Sequence, residues 1–334
     1  IDFTDGSSSD FAKRRALANL IRDASINIIE LILNAACGSQ VGFFYLANHG
    51  ISEDNISGAL EAGKRFFSLD TARKIELNID KSTSFKGYTA LLQENVNPTG
   101  LGDLHEGFDI GWEPLINSPS FTDDDTHTVR KITPGAMSGT NSWPKNLPGF
   151  REAVLTYYHD AIKLGKLLFP LFALALDLAE DFFDDKTTRP AAIMRLLHYP
   201  PQASKIDNED RQIGIGEHTD YECFTLLWQD SVGGLQVKNA AGKWIDAVHI
   251  PGTIVVNLGD QFARWTNDVF KSTPHRAINR SGQERYSIPL FFGTNYDVLL
   301  DPIPTCISPD SPAKYEVITA GDYVKSRLEA TYNK

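Results

Sequence analysis

Hydrophobic positions recur at helical spacing in three parts of the N-terminal half of the chain. Residues 7–37 predict a first helix, and Ser52 with the acidic residues after it predicts a second helix that ends near Phe67. A third, longer helix with one strongly apolar face is predicted from about Leu147 to Leu178. Between the first two helices, the apolar segment Val41–Ala47 predicts a buried strand followed by a turn.

The pattern changes after position 192, where short alternating or apolar segments recur between turn residues. This repetition is typical of an antiparallel sandwich or barrel, and the segment Asn239–Gly242 predicts the turn of a hairpin. The fold class that we expect is mainly β with helices, with an N-terminal helical region packed on the β core. The predicted strands are Ile193–Tyr199, Ile213–Asp220, Cys223–Gln229, Leu235–Lys238, Lys243–Ala247, Thr253–Leu258, His275–Asn279 and Arg285–Phe292.

A long segment without periodic runs separates the two patterns. Residues 80–145 are rich in Gly, Pro, Asn, Asp and Ser. Inside a compact domain, such a segment is more often a functional loop or lid than a linker. We therefore expect the segment to be irregular and to contribute to a site.

The overall charge excludes one class of partner. The chain has 42% hydrophobic and 22% charged residues, as an ordinary globular protein has, and a formal net charge of −11. Nucleic-acid binding depends on clustered Lys and Arg, which neither the net charge nor any local run supplies. Acidity otherwise indicates only solubility, but it implies that an anionic ligand must be met by locally placed basic groups. We expect no nucleic-acid partner.

Cysteine usage and the apolar runs indicate a reducing, aqueous environment. The three cysteines are widely spaced and form no CxxC pair, which argues against a disulfide framework or a structural zinc cluster. No signal peptide is visible, and the most apolar run, Leu167–Leu176, is too short to span a bilayer. We expect a soluble, cytoplasmic protein with no membrane partner, and the sequence leaves its oligomeric state open.

His218 and Asp220 lie two residues apart at the end of a predicted strand, so both side chains project from one face. Alone, such a pair arises easily by chance. A third ligand must come from another strand, and His275 is the candidate because of the residues that follow it. Two His and one carboxylate form a facial triad that leaves positions open on Fe(II), which admit a bidentate organic acid and dioxygen together.

Arg285 and Ser287 occupy alternate positions of an apolar strand that begins ten residues after His275. A charged Arg on an inward-facing strand is costly unless it is paired. One explanation is a salt bridge to an internal Asp or Glu. The other is that the planar guanidinium binds the distal carboxylate of a small acid, with the Ser hydroxyl adding a hydrogen bond. The second explanation also accounts for the open positions on the metal.

With these residues the chain resembles the Fe(II)/2-oxoglutarate-dependent dioxygenases, in particular the group related to isopenicillin N synthase and the plant and fungal small-molecule oxygenases. Residues 42–50, Gly-Phe-Phe-Tyr-Leu-Ala-Asn-His-Gly, are similar to the N-terminal signature of that family. Residues 228–237, 256–260 and 265–276 follow its core pattern. The resemblance therefore covers nearly the whole chain.

The fold that the resemblance implies is a double-stranded β-helix, or jelly roll, whose mouth holds the iron. We accordingly expect a single catalytic unit over residues 1–334. Its N-terminal helical and loop region, over residues 1–145, resembles the N-terminal domain of the family. Its jelly-roll core spans residues 190–300. The first predicted helix is longer around Ser25–Leu33 than is usual in the family.

The resemblance also implies a role for each motif residue. The iron ligands would be His218, Asp220 and His275, and the residues that contact 2-oxoglutarate would be Arg285, Ser287 and Tyr199. Many plant members have Asn at the position of Leu197, so one hydrogen bond to the co-substrate is absent here, and Arg195 on the same segment is a candidate to replace it. Candidate substrate-pocket residues are Phe85, Tyr88, Leu92, Arg195, Tyr221, Phe224 and Phe292. Each candidate aromatic is also explained by core packing, and we expect about a third of them to line the pocket.

The activity that the resemblance implies is Fe(II)- and 2-oxoglutarate-dependent oxidation of a small organic molecule by dioxygen, with release of succinate and CO2. Hydroxylation is expected, with desaturation or ring formation as further outcomes, and the setting would be secondary metabolism. The alternatives are an iron oxidase of the isopenicillin N synthase type, which uses no 2-oxoglutarate, a zinc hydrolase, and a non-catalytic jelly-roll binding protein. A binding module would need neither the triad nor the buried Arg. Fold alone does not decide among these.

Overall fold

The computed structural model describes residues 1–26, 42–82, 84–96, 102–115, 139–202 and 213–332. The helices of this part of the chain are α1 Phe11–Ile26, α2 Glu53–Phe67, α3 Thr71–Ile75, α4 Phe150–Ala175, α5 Asp260–Trp265 and α6 Ala320–Tyr332. Short 3₁₀ turns lie at Ile79–Lys81, Asp184–Lys186 and Pro304–Cys306.

Side chains cap the first two helices. The Asp10 carboxylate accepts a hydrogen bond from the Ala12 amide at 2.8 Å, and the Ser52 hydroxyl accepts one from the Asn55 amide at 3.2 Å. The predicted start of the second helix at Ser52 is thus confirmed. The first helix is described as far as Ile26, so its predicted extension to residue 37 lies outside the described residues. The predicted third helix is α4.

The strands of the described residues are β1 Phe43–Ala47, β2 Gly87–Thr89, β3 Glu106–Ile110, β4 Ala192–Tyr199, β5 Ile215–His218, β6 Phe224–Gln229, β7 Leu235–Lys238, β8 Trp244–Asp246, β9 Thr253–Leu258, β10 His275–Ala277 and β11 Arg285–Phe292. They form two antiparallel sheets, a larger one in the order β1-β9-β6-β11-β4-β3-β2 and a smaller one in the order β5-β10-β7-β8. Each strand predicted from the sequence is present, and the predicted turn at 239–242 joins β7 and β8 of the smaller sheet as a hairpin.

The expectation that residues 80–145 are irregular is wrong for two short stretches. Strands β2 and β3 lie within this segment and extend the larger sheet, because β3 pairs with β4. Because the charged residues Glu106 and Asp109 are buried in β3, this strand does not show the usual alternation of apolar buried and polar exposed residues. Their carboxylates are satisfied by Lys74 at 2.6 Å and Arg195 at 2.7 Å, so the polar positions are not solvent-facing.

Side chains of the larger sheet alternate between two environments. Phe224 and Phe292 face helix α4, where their rings lie 5.3 and 5.8 Å from that of Phe169. On the opposite face, Leu227 packs against Leu235 of the smaller sheet. The main core therefore lies between the larger sheet and the helices, and the space between the two sheets is left for a cavity.

The described residues include no helix long and apolar enough to cross a membrane. Cys223 and Cys306 are both buried free thiols, while Cys37 lies outside the described residues. No disulfide forms between these two, as the spacing of the cysteines indicates.

Candidate metal centre

The smaller sheet brings three candidate metal ligands together. His218 is the last residue of β5, Asp220 follows in the next turn, and His275 is the first residue of β10, directly paired with His218. One ligand atom from each residue lies within 4.8 Å of the other two. The Asp220 Oδ1 atom is 3.7 Å from His218 Nε2 and 3.6 Å from His275 Nε2. This grouping can hold a divalent metal ion.

Hydrogen bonds on the far side of each ligand fix the atom that faces the centre. The Nδ1 atoms of His218 and His275 donate to the carbonyl oxygens of Gly216 and Thr273, at 2.8 and 3.1 Å. Because Nδ1 carries the proton, the lone pair of each ring lies on Nε2. Both imidazoles are therefore held in the tautomer that a metal ion requires.

The carboxylate of Asp220 is oriented in the same way. Its Oδ2 atom accepts hydrogen bonds from the Thr225 hydroxyl at 2.5 Å and the Asn257 side-chain amide at 2.6 Å. Thr225 and Asn257 are paired neighbours on β6 and β9 of the larger sheet. Since Oδ2 is occupied, Oδ1 remains for the metal, between the two Nε2 atoms.

Electrostatics favour the metal-binding protonation states. Burial, together with the charge of neighbouring His275, lowers the pKa of His218 to about 4. Burial alone would raise the pKa of Asp220, but the two His residues and the bonds from Thr225 and Asn257 outweigh it and lower that pKa. A neutral imidazole beside a carboxylate anion is the donor set that a divalent cation needs.

A cavity of about 170 Å³ opens beside the three ligands, lined by both sheets and by helix α6. Four alternate residues of β11 line it, namely Arg285, Ser287, Pro289 and Phe291. Four alternate residues of β4 do the same, namely Ile193, Arg195, Leu197 and Tyr199. Most of the area of the wall is apolar, although charged side chains of both signs also line it, as expected of a small-molecule site.

Arg285 is 1% exposed and lacks a carboxylate partner among the described residues. Its Nε atom donates to the Gly233 carbonyl, and Nη2 lies 3.5 Å from the Gln229 side-chain oxygen. The guanidinium carbon lies 4.4 Å from the centroid of the Tyr199 ring. Its Nη1 atom has no hydrogen-bond partner in the described part of the chain. A buried cation held in this way is suited to bind an anion in the cavity.

Arg195, one strand away, is held differently. It makes bidentate contacts with Asp109, at 2.7 and 3.0 Å, and with Glu94, at 2.8 and 2.9 Å. Glu94 also lies 3.0 Å from His105 Nε2, while His105 Nδ1 donates to the Gly214 carbonyl. An internal salt bridge is one of the two explanations that the sequence allows for Arg285. In the structure it is Arg195, and not Arg285, that makes such a salt bridge. These bonds do not favour Arg195 as a replacement for the missing Asn contact.

The structure separates the candidate substrate-pocket residues into two groups. Phe85, Arg195 and Tyr221 line the cavity. Four others do not line it: Tyr88, Leu92, Phe224 and Phe292. Tyr88 is buried and donates to Glu106, Leu92 is exposed, and the two Phe residues lie on the helix-facing side of their strands. For the two Phe residues the reason is the alternation of side chains along β6 and β11, whereas Leu92 lies in a turn outside the strands.

Glu222 is a cavity residue that the sequence reasoning did not single out. Its Oε2 atom has no hydrogen-bond partner among the described residues, and burial raises the pKa of this carboxyl to about 8. The carboxylate lies directly against Gly293, since a Cβ at that position would lie 2.1 Å from Oε2 and would displace the carboxylate. Three further cavity residues are not among the candidates from the sequence: Thr225, Asn257 and Phe291. Strand alternation could identify two of them, since Phe291 lies on the same face of β11 as Arg285, and Thr225 lies on the face of β6 opposite to Phe224.

Family models match most of the chain. The model of the 2OG-Fe(II) oxygenase superfamily matches residues 190–294, and the model of the N-terminal region of non-haem dioxygenases in morphine synthesis matches residues 1–146. The first match contains all three candidate metal ligands and both Arg285 and Ser287.

Curated relatives and solved structures agree with these models. The chain is 38% identical over 297 residues to the 2-oxoglutarate-Fe(II) type oxidoreductase hxnY of Emericella nidulans, covering 88% of this chain and 82% of that protein. It is 34% identical to a homoarginine-6-hydroxylase of Arabidopsis thaliana, covering 86% and 83%. The crystal structure of a full-length Neurospora crassa protein in complex with alpha-KG (2-oxoglutarate) and thymine has a TM-score of 0.80 at 30% identity, covering 99% of this chain and 96% of that one.

The architecture, the donor set and these similarities lead to one assignment. The two antiparallel sheets form the jelly-roll core of this family, which confirms the predicted fold class. The unpartnered Nη1 of buried Arg285 and the two-His, one-carboxylate set fit the co-substrate and the metal that the family uses. The chain belongs to the 2-oxoglutarate/Fe(II) oxygenase family, as an enzyme whose cofactors are Fe(II) and 2-oxoglutarate.

Proposed function

We propose that His218, Asp220 and His275 are the Fe(II) ligands of this enzyme. The observation that supports them is the set of hydrogen bonds that turns one free atom of each side chain toward a common centre. A divalent iron held by these three residues would have positions left for a bidentate acid and for dioxygen.

The proposed site for the C5 carboxylate of 2-oxoglutarate is formed by Arg285, Ser287 and Tyr199. Support comes from the unpartnered Nη1 atom of Arg285 and from the alternation that places the Ser287 hydroxyl on the same cavity wall. Tyr199 contributes the face of its ring, against which the guanidinium lies. Leu197 adds only apolar surface at the position where many plant relatives have Asn.

Bound Fe(II) with 2-oxoglutarate and dioxygen supplies the oxidising chemistry, which releases succinate and CO2. The chain contributes binding, orientation and exclusion of water. Arg285 fixes the direction of the co-substrate, and the apolar side chains of Leu197, Pro289 and Phe291 keep that half of the cavity dry. Polar contacts to a substrate are available from Glu222 and from Thr219 near the metal.

The proposed substrate is a small organic molecule, and the proposed reaction is hydroxylation, with desaturation or ring formation as variants. The cavity volume and its largely apolar wall support a small ligand. Similar proteins are named for homoarginine hydroxylation or were crystallised with thymine. Matches to fungal oxidoreductases support a setting in secondary metabolism, and two free buried thiols agree with a reducing, cytoplasmic compartment.

The N-terminal region over residues 1–145 and the core over residues 190–300 are proposed to act as one catalytic unit. Both regions contribute to a single hydrophobic core around helix α4. The cavity likewise takes residues from both, including Phe85 and Asp109 from the first region and the metal ligands from the second.

An anaerobic titration tests the proposed site without knowledge of the substrate. Fe(II) and 2-oxoglutarate together should give the weak visible charge-transfer band of the chelate in the wild-type protein. His218→Ala should abolish the band, and Arg285→Ala should raise the 2-oxoglutarate concentration needed to reach it. His159→Ala is the matched control, because His159 bonds to the Glu113 carbonyl and does not line the cavity. An undiminished band in His218→Ala would refute the metal assignment.

A screen for succinate release then addresses the substrate. Nitrogen-containing small molecules, beginning with homoarginine and thymine, are incubated with Fe(II), 2-oxoglutarate and dioxygen. Substrate oxidation coupled to one succinate per turnover is expected for the right compound. Turnover that needs no 2-oxoglutarate and yields no succinate would contradict the proposal and favour an oxidase of the isopenicillin N synthase type.

A further inference from the structure

Helix α6 contributes to the wall of the cavity that the metal ligands also line. Val324 and Leu328 lie four residues apart, and therefore on one face of the helix, and both line the cavity. Beside Leu328 in the chain, the guanidinium of Arg327 lies 5.0 Å from the centroid of the Tyr221 ring. Tyr221 directly follows the ligand Asp220. A substrate in the cavity would thus touch both the helix and the turn that carries the metal ligands.

The first turn of α6 is attached to the body of the protein by its backbone. The amides of Ala320 and Gly321 donate to the carbonyls of Val298 and Tyr296, each at 2.8 Å. Beyond this turn, the attachment passes to side chains. The Tyr323 hydroxyl donates to Asp260 Oδ2 at 2.8 Å.

Asp260 is also bonded to the turn between the metal ligands. Its Oδ2 atom accepts a hydrogen bond from the Thr219 hydroxyl at 3.2 Å, and its amide donates to the Asp220 carbonyl at 2.8 Å. Thr219 lies between His218 and Asp220 in the chain. One carboxylate oxygen therefore joins helix α6 to the backbone turn that presents two of the three ligands.

We infer that Asp260 is a positioning residue that couples the docking of helix α6 to the occupancy of the metal site, so that substrate held against Val324 and Leu328 is placed in a fixed position relative to the metal. This inference rests on the proposed metal ligands. Since coupling between two sites is reciprocal, metal bound at the turn must stabilise the docked helix, and a docked helix must strengthen metal binding.

Tyr323→Phe breaks the connection on the helix side and leaves the metal turn untouched. The matched control is Tyr315→Phe. Tyr315 also donates to an aspartate, Asp268, at 2.6 Å, and it also lies under Arg264, at 4.7 Å compared with 5.1 Å for Tyr323. Tyr315 lies outside α6 and does not line the cavity. Each variant thus removes a tyrosine hydroxyl that donates to an aspartate beside Arg264.

Hydrogen–deuterium exchange, followed by mass spectrometry, measures the coupling in the intact protein. The probe is anaerobic Fe(II) with 2-oxoglutarate. Metal binding should slow exchange of the α6 amides roughly tenfold in the wild type. The metal would hold the turn to which Asp260 is bonded, so opening the helix would then break a hydrogen bond to a carboxylate that is already fixed in position. The slowing should be lost in Tyr323→Phe and kept in Tyr315→Phe. Slowing around His218 should be kept in all three proteins.

Asp260→Asn provides a second variant for the case in which Tyr323→Phe frays α6 even without metal. It should also lose the metal-dependent slowing of α6 and bind Fe(II) several-fold more weakly. Equal slowing of α6 in wild type and Tyr323→Phe would overturn the inference, as would equal loss in Tyr315→Phe. Failure of the charge-transfer band to form in the wild type would instead refute the proposed metal site itself, so the two failures are distinguishable.

Discussion

The guanidinium of Arg285 lies 4.4 Å from the ring centroid of Tyr199, its directly paired neighbour across β11 and β4. The ring face, and not the hydroxyl, makes this contact. Tyr199→Phe should therefore leave the half-saturating concentration of 2-oxoglutarate nearly unchanged, whereas Tyr199→Leu should raise it roughly tenfold by releasing the guanidinium. Titration of the anaerobic charge-transfer band measures both values. Equal losses in the two variants would show that the hydroxyl itself contacts the co-substrate.

The two Arg residues that line the cavity on neighbouring strands, Arg195 and Arg285, should respond differently to truncation. Arg195→Ala leaves the carboxylates of Glu94 and Asp109 buried without their cation, so we expect a loss of about 3–5 kcal/mol in the free energy of unfolding. Arg285→Ala removes a cation that has no carboxylate partner among the described residues, so stability without ligand should change little while 2-oxoglutarate binding is lost. Urea unfolding checks the first effect and band titration the second. A similar destabilisation in both variants would contradict this distinction.

This contrast shows where sequence reasoning succeeds and where it stops. The triad and the Arg-x-Ser pair are recognisable because their spacing matches the strand period and a known family pattern. Whether a buried Arg is satisfied by the protein depends on residues far away in the chain. Glu94 and Asp109 precede Arg195 by 101 and 86 positions, and nothing local identifies them as its partners. Ion pairs between residues so far apart in the chain therefore cannot be predicted from the local sequence pattern.

The pocket residues of β11 differ from the Arg195 ion pairs, because their placement can be worked out from the sequence. Once Arg285 is assigned to the cavity face, the period of two places Phe291 on that face and Phe292 on the other. The sequence therefore contains this information, and Phe292 is a pocket candidate only when the strand register is left out of account. Helix α6 is a harder case, because its contribution through Val324 and Leu328 follows from where the helix docks and not from its own pattern.

Phe291 and Phe292 provide a direct test of this register. Phe292→Ala removes a fully buried ring from the contact with α4, so it should lower the free energy of unfolding by about 3–5 kcal/mol. Phe291→Ala should cost much less stability and should instead change the substrate KM, because its ring lines the cavity. Thermal or urea unfolding and succinate assays separate the two effects. The reverse pattern would mean that the assignment of faces is wrong.

His198 gives the fold a dependence on pH that is separate from the metal centre. Burial alone would lower its pKa, but hydrogen bonds to Glu106 and Glu284 outweigh burial and raise that pKa above the usual value. A raised pKa in the folded state means that the charged form stabilises the protein. This stabilisation is fully present below the unfolded pKa of about 6.5 and is lost as the pH rises through the higher folded pKa.

His198→Gln should therefore lower Tm more at pH 6 than at pH 9, where the wild-type imidazole is neutral. Tm measured across this range for both proteins gives the comparison. His159→Gln is the matched control, because His159 is hydrogen-bonded to a backbone carbonyl and not to a carboxylate. The difference in Tm between this variant and the wild type should depend less on pH. A His198→Gln deficit that grows with pH would contradict the sign of the shift.

Thr225 and Asn257 act on the metal through Asp220. Both donate to Oδ2, and this leaves Oδ1 directed between the two imidazoles. Partners of a metal-ligating side chain typically contribute about 10- to 100-fold to metal affinity, so Thr225→Val and Asn257→Leu should each weaken binding by such a factor. Competition with a chelator under anaerobic Fe(II) measures the affinity. Thr89→Val is the control, since its buried hydroxyl has no hydrogen-bond partner among the described residues and lies outside the cavity lining. If Thr225→Val behaved like Thr89→Val, the carboxylate would be oriented without its neighbours, and the geometry argued for Oδ1 would not depend on the larger sheet.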